Sequence, residues 1–105
     1  MADASGILYR HKLANTPAIL TPTTGDTILA NNDERGAFCI QNLGTNPLFV
    51  RLGAGATTSI FHVVLKAGTA NDDGLGGTLE MESGTVYTGD ISVAGTSPRL
   101  VVTEI

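Results

Sequence analysis

Phe38-Cys39-Ile40-Gln41-Asn42-Leu43-Gly44-Thr45-Asn46-Pro47-Leu48-Phe49-Val50-Arg51-Leu52 is the stretch that decides the fold of this chain. Phe38 and Ile40 share one side of an extended chain, while Cys39 and Gln41 share the other. Beyond Pro47, Leu48, Val50 and Leu52 alternate with Phe49 and Arg51. Successive side chains of a strand point to opposite faces, so a two-residue apolar period marks a half-buried strand. Gly44 to Pro47 carries turn-forming residues between the two runs, and the pattern predicts a β-hairpin across it.

Working outward, the same grammar recurs. Phe61, Val63 and Leu65 alternate with His62, Val64 and Lys66 as a third strand after the small-residue loop Gly53 to Ser59. Leu79 and Met81 share a face of a further short run, Val86 to Thr88 and Asp90 to Val93 flank Gly89, and Leu100 to Ile105 is rich in β-branched residues. Upstream, Asn31 to Gly36 reads as a polar loop and Thr27 to Ala30 as a short strand. Ala18 to Leu20 is stopped or held at a sheet edge by Pro22, because proline cannot donate to a ladder. Short strands broken by Gly or Pro every eight to twelve residues or so signal a sandwich or barrel. No stretch keeps an apolar repeat at three- and four-residue spacing, so no substantial helix is expected. The expectation is an all-β, antiparallel two-sheet β-sandwich, with jelly-roll topology placed ahead of an immunoglobulin-like one. Its core is expected to contain Phe38, Ile40, Leu48, Val50, Phe61, Val63 and Leu65.

A length of 105 residues suits one domain. Residues 14–105 are read as the single sandwich domain, and residues 1–13 as an N-terminal arm or first strand. Charged residues make up only 15% against 13 glycines, which favours strands and turns over surface helices. A net charge of -4 argues against a general affinity for nucleic acid or an acidic membrane. Arg10, His11 and Lys12 form the one close basic group, and it is read as a solvated strand end. No run approaches the length of a bilayer span and no signal-peptide pattern opens the chain, so a soluble protein is expected.

Residue types that carry chemistry are scattered. Cys39 is the sole cysteine, which rules out an intrachain disulfide; between Phe38 and Ile40 it reads as a small, partly buried hydrophobe. Asn71-Asp72-Asp73-Gly74-Leu75-Gly76-Gly77 clusters oxygen ligands but lacks the alternating acidic spacing of an EF-hand loop, and is read as a surface loop with no metal. His11 and His62 lie far apart, Glu80 and Glu82 form a solvated stripe, and no serine sits in a nucleophile motif. No catalytic residues, no cofactor and no enzymatic activity are expected.

From Gly36 onward the chain resembles a group of small bacteriophage virion β-sandwich proteins, among them capsid decoration, cement and related head components. The resemblance runs through Phe38 to Gly53, Phe61 to Gly68, Tyr87 to Thr96 and Val101 to Ile105. It implies a structural protein that decorates or cements the capsid surface by non-covalent contacts with the major capsid protein. It also implies a homo-oligomer, a trimer above all, made in the host cytoplasm and located on the virion. An exposed head-fibre, spike or tail adhesion module recognising a host surface glycan or protein is the alternative. The apolar Ile7, Leu8 and Tyr9, with Arg10, lie outside this scaffold grammar and are the expected partner-binding residues.

Overall fold

The computed structural model describes residues 17–105. Eight strands form within them: β1 (Ile19–Leu20), β2 (Thr27–Leu29), β3 (Phe38–Asn42), β4 (Leu48–Leu52), β5 (Val63–Leu65), β6 (Thr78–Met81), β7 (Ile91–Ala94) and β8 (Leu100–Glu104). They build two four-stranded sheets, ordered β1-β8-β3-β6 and β2-β7-β4-β5. All neighbouring strands pair antiparallel. Every connection passes from one sheet to the other except β4 to β5, and the order is that of a jelly roll. The expected two-sheet sandwich is therefore what forms, and no helix accompanies it among the described residues.

Alternation determines what lies between the sheets. Phe38 and Ile40 of β3 project inward beside Val102 and Leu100 of β8, and meet Leu48 and Val50 of β4, Leu65 of β5, and Ile91 and Val93 of β7. Ile40, Val50, Ile91, Val93 and Leu100 have no solvent exposure at all. Each such aliphatic side chain contributes roughly 1.5–3 kcal/mol on leaving water.

Two expectations are corrected. β3 and β4 do not form a hairpin, because they belong to opposite sheets. The apolar period reveals which side chains face the core, and it reads the same whether two strands flank or face each other. The side chain of Asn42 makes the difference. Its Oδ1 accepts from the Gly44 amide at 2.9 Å, and its Nδ2 donates to the carbonyls of Asn46 (2.9 Å), Leu65 and Lys66 (3.1 Å each). This fully buried amide folds the Gly44–Pro47 turn across the end of the sandwich and ties it to the chain leaving β5. Gly76 packs against the same strand end so closely that a Cβ there would collide with the Asn42 carbonyl.

The second correction concerns Phe61, which is 39% exposed and lies outside the core. β5 begins only at Val63, and ahead of it the chain turns Phe61 edge-on against Phe49, with ring centroids 5.0 Å apart.

The opposite end of the sandwich is closed by Arg35, in the polar loop between β2 and β3. Its side chain is completely buried. Nε donates to Glu104 Oε2 at 2.8 Å, Nη1 to the carbonyls of Tyr87 and Gly89, and Nη2 to that of Ala30. The guanidinium also lies 5.8 Å from the centre of the Phe38 ring. One side chain thus joins the chain leaving β2, the chain entering β7 and the end of β8.

The two phenylalanines should respond differently to truncation. Phe38→Ala is expected to cost about 3–5 kcal/mol in urea denaturation, and Phe61→Ala roughly 1 kcal/mol, the scale of an exposed aromatic pair. Equal losses would contradict the placement of the two rings.

Candidate interaction surface

The outward positions of β4 and β5 carry the most distinctive surface of the described chain. Phe49 and Val64 are direct cross-strand partners on that face. Phe61 packs on Phe49, and Ile60 adjoins it at the end of the β4–β5 loop. Ile60 is 51% exposed and Val64 45%. The loop that presents them is ordered by its own backbone: Ile60 and Thr57 exchange amide-to-carbonyl bonds of 3.1 and 3.2 Å, and Thr57 Oγ1 accepts from the amides of Ser59 and Ile60.

His62 extends the pairing between β4 and β5. Its amide donates to Val50 O at 2.8 Å, and its imidazole Nδ1 accepts the Leu52 amide at 3.0 Å, in place of a backbone carbonyl. A nitrogen that accepts carries no proton, so the imidazole holds its hydrogen on Nε2.

Basic groups flank this apolar cluster. Arg51 lies on the outward side of β4, and the exposed Lys66 follows directly after β5, two residues beyond Val64. The other two arginines among the described residues are engaged elsewhere, Arg35 with Glu104 at 2.8 Å and Arg99 with Asp72 at 2.6 Å. Arg51 and Lys66 form no salt bridge with any described residue.

Acidic groups gather at the edge strand of the other sheet. Glu80 projects outward beside its partner Cys39 on β3, and Glu82 follows immediately after β6. Both glutamates are exposed, and they border adjoining clefts of about 190 and 350 Å³ that share Ala37, Glu82 and Ile105. Cys39 is half-buried and its thiol donates to Glu80 Oε2 at 3.8 Å. Burial pushes the thiol pKa up, and the adjacent Glu80 carboxylate pushes it further in the same direction by charge and hydrogen bonding. The neutral thiol is thereby favoured over the nucleophilic thiolate.

The Asn71–Gly77 loop spends its carboxylates internally. Asp73 accepts from the Thr69 amide and hydroxyl, the Ala70 amide and the Leu75 amide, all at 2.8–2.9 Å. These bonds, led by that from Leu75, hold its pKa down at about 2. Asp72 chelates Arg99 through both oxygens, and this pair lowers the pKa of Asp72 and raises that of Arg99. Among the described residues no three His, Cys, Asp or Glu side chains converge as a metal site.

The expected partner-binding residues Ile7, Leu8, Tyr9 and Arg10 lie outside the described residues, as does the basic group of Arg10, His11 and Lys12. Sequence reasoning missed the Phe49–Phe61–Val64 cluster because Phe61 was in phase with Val63 and Leu65. The signal that could have found it is a breach of alternation: Leu48-Phe49-Val50 and Val63-Val64-Leu65 are apolar on both faces, and Ile60-Phe61 cannot both turn inward. Compared with known protein families, curated proteins and solved structures, the chain finds no match.

The Asp73 arrangement has a definite pH signature. Its folded pKa is lowered, so its contribution to stability is complete above the unfolded value near 3.9 and disappears as pH falls through about 2. The urea midpoint should fall over that window, and Asp73→Asn should flatten that part of the profile. An unchanged profile in the variant would show that the loop bonds do not favour the carboxylate.

Proposed function

We propose that the protein is a structural component of a bacteriophage particle, a homotrimer that decorates or cements the capsid surface through non-covalent contacts with the major capsid protein. The observation that carries this reading is the apolar surface made by the cross-strand pair Phe49 and Val64 together with Ile60 and Phe61 of the loop before β5, of which Ile60, Phe61 and Val64 are exposed. Apolar groups held on a rigid sheet mark protein–protein contact more readily than catalysis. The jelly-roll order is also one that viral capsid domains use, although lectins and cupins share it and a fold alone does not assign a role. The resemblance from Gly36 onward supports the particular assignment to a phage virion.

Such a protein works mechanically and needs no active site. Bound across capsid subunit boundaries, it stabilises the assembled shell by mass action, since it binds the assembled arrangement and not the separated subunits. Ile7, Leu8, Tyr9 and Arg10 would add contact area, because an extended segment can pair with a neighbouring sheet edge. An adhesion role would instead draw on the polar cleft between Thr21, Thr45, Asn71 and Arg99. That cleft has no aromatic lining and its arginine is committed to Asp72.

Co-sedimentation with shells of the cognate major capsid protein tests the reading. The protein should pellet with shells and raise the temperature at which they come apart. Deleting residues 2–10 should leave the circular dichroism spectrum unchanged and weaken co-sedimentation. Absence of binding at micromolar concentration, with shell stability unaltered, would overturn the proposal.

A further inference from the structure

We propose that two copies of this chain meet head to tail, with the basic-apolar face around Phe49, Phe61 and Val64 of one docking against the acidic cleft beside β6 of the next. The inference rests on the reading of the protein as a homo-oligomer and names the surfaces that make it one. Its basis is complementarity between two different parts of one molecule. The β4–β5 face offers exposed apolar side chains flanked by Arg51 and Lys66, neither of which pairs with a described acid. The β6 edge offers Glu80 and Glu82, exposed and without a salt bridge among the described residues, bordering clefts walled by Ala37, Met81 and Ile105.

Each surface lacks what the other supplies. Apolar side chains with a basic border meet an apolar cleft with an acidic border, so contact desolvates carbon while opposite charges face each other. The alternative, each face against its own twofold mate, would set Arg51 and Lys66 against the same two cations and Glu80 and Glu82 against the same two acids. Like-charge juxtaposition of that kind costs several kcal/mol. A contact between two different patches is heterologous, and its repetition generates a ring when the rotation closes. This gives the homotrimer a concrete interface.

Sedimentation velocity on the full chain tests the contact with two surface variants, Arg51→Glu/Lys66→Glu and Glu80→Lys/Glu82→Lys. The wild type should associate, and each variant alone should need a concentration at least roughly tenfold higher to do so. Mixed in equal amounts, the variants should regain association as species in which the two chains alternate, because their intact faces complement each other and so do their reversed ones. A single chain bearing all four changes should regain association, because its charges are exchanged and not removed. A monomeric wild type at high concentration would overturn the proposal, as would a Glu80→Lys/Glu82→Lys variant that associates like the wild type. Co-sedimentation with capsid shells, run on the same proteins, reads the decoration function separately: a wild type that binds shells as a monomer refutes this contact and leaves decoration standing.

Discussion

A chain that crosses repeatedly between two sheets must satisfy the backbone polar groups it carries over the ends of the core, where no ladder partner is present. That constraint governs this fold. Buried carbonyls and amides without partners cost about 1–3 kcal/mol each, and a jelly roll of short strands has many crossings for its size. Two buried polar side chains meet the need. Asn42 serves the crossings at one end through Gly44, Asn46, Leu65 and Lys66, and Arg35 serves the other through Ala30, Tyr87 and Gly89. Arg35 is itself acceptable in the interior because Glu104 neutralises it; a buried charge without a partner would be strongly destabilising.

The surface follows from this closure. With both ends tied, the loops hold fixed positions, and the β4–β5 face is presented on paired backbone in an ordered arrangement. The loop before β5 uses Thr57 to order itself, and His62 contributes an imidazole nitrogen where the β4 ladder would otherwise run out of acceptors. A face that is already ordered loses little entropy on binding, which suits the attachment role proposed above. The separation of basic and acidic groups onto different parts of the sandwich follows the same logic. Among the described residues, internal pairing removes Arg35 and Arg99 from the available cations, and those left, Arg51 and Lys66, border the apolar cluster.

The fold class was legible in the sequence because the two-residue apolar period of Phe38–Asn42 and Leu48–Leu52 places Phe38, Ile40, Leu48 and Val50 inward as found, and the β-branched-rich end of the chain forms the strand expected of it. Sheet membership was not legible. Two amphipathic strands separated by a four-residue turn have the same pattern whether they lie side by side or face to face, and here the choice falls to Asn42, whose side chain reaches residues 23 and 24 positions away. Phe61 shows a second limit, since periodicity extended one turn too far places a ring inside that belongs outside. Arg35 shows a third: a charge in a polar loop gives no local sign of burial, and its acceptors are supplied by positions up to 69 residues distant. The interaction surface was hidden for the same reason, being assembled from positions that each looked like core or solvated strand.

The central claim is that the crossings are held as firmly as the strands, so that the molecule offers a fixed surface. Native-state hydrogen exchange tests it most directly. The amides of Leu43, Gly68, Asp72 and Gly77, which donate to carbonyls across the Asn42 end, and of Asn32, Gly36 and Ala37 at the Arg35 end, are expected to exchange with the same opening free energy as amides of β3 and β7, through global unfolding. Rapid exchange of the crossing amides by local opening, with the strand amides still protected, would contradict the account.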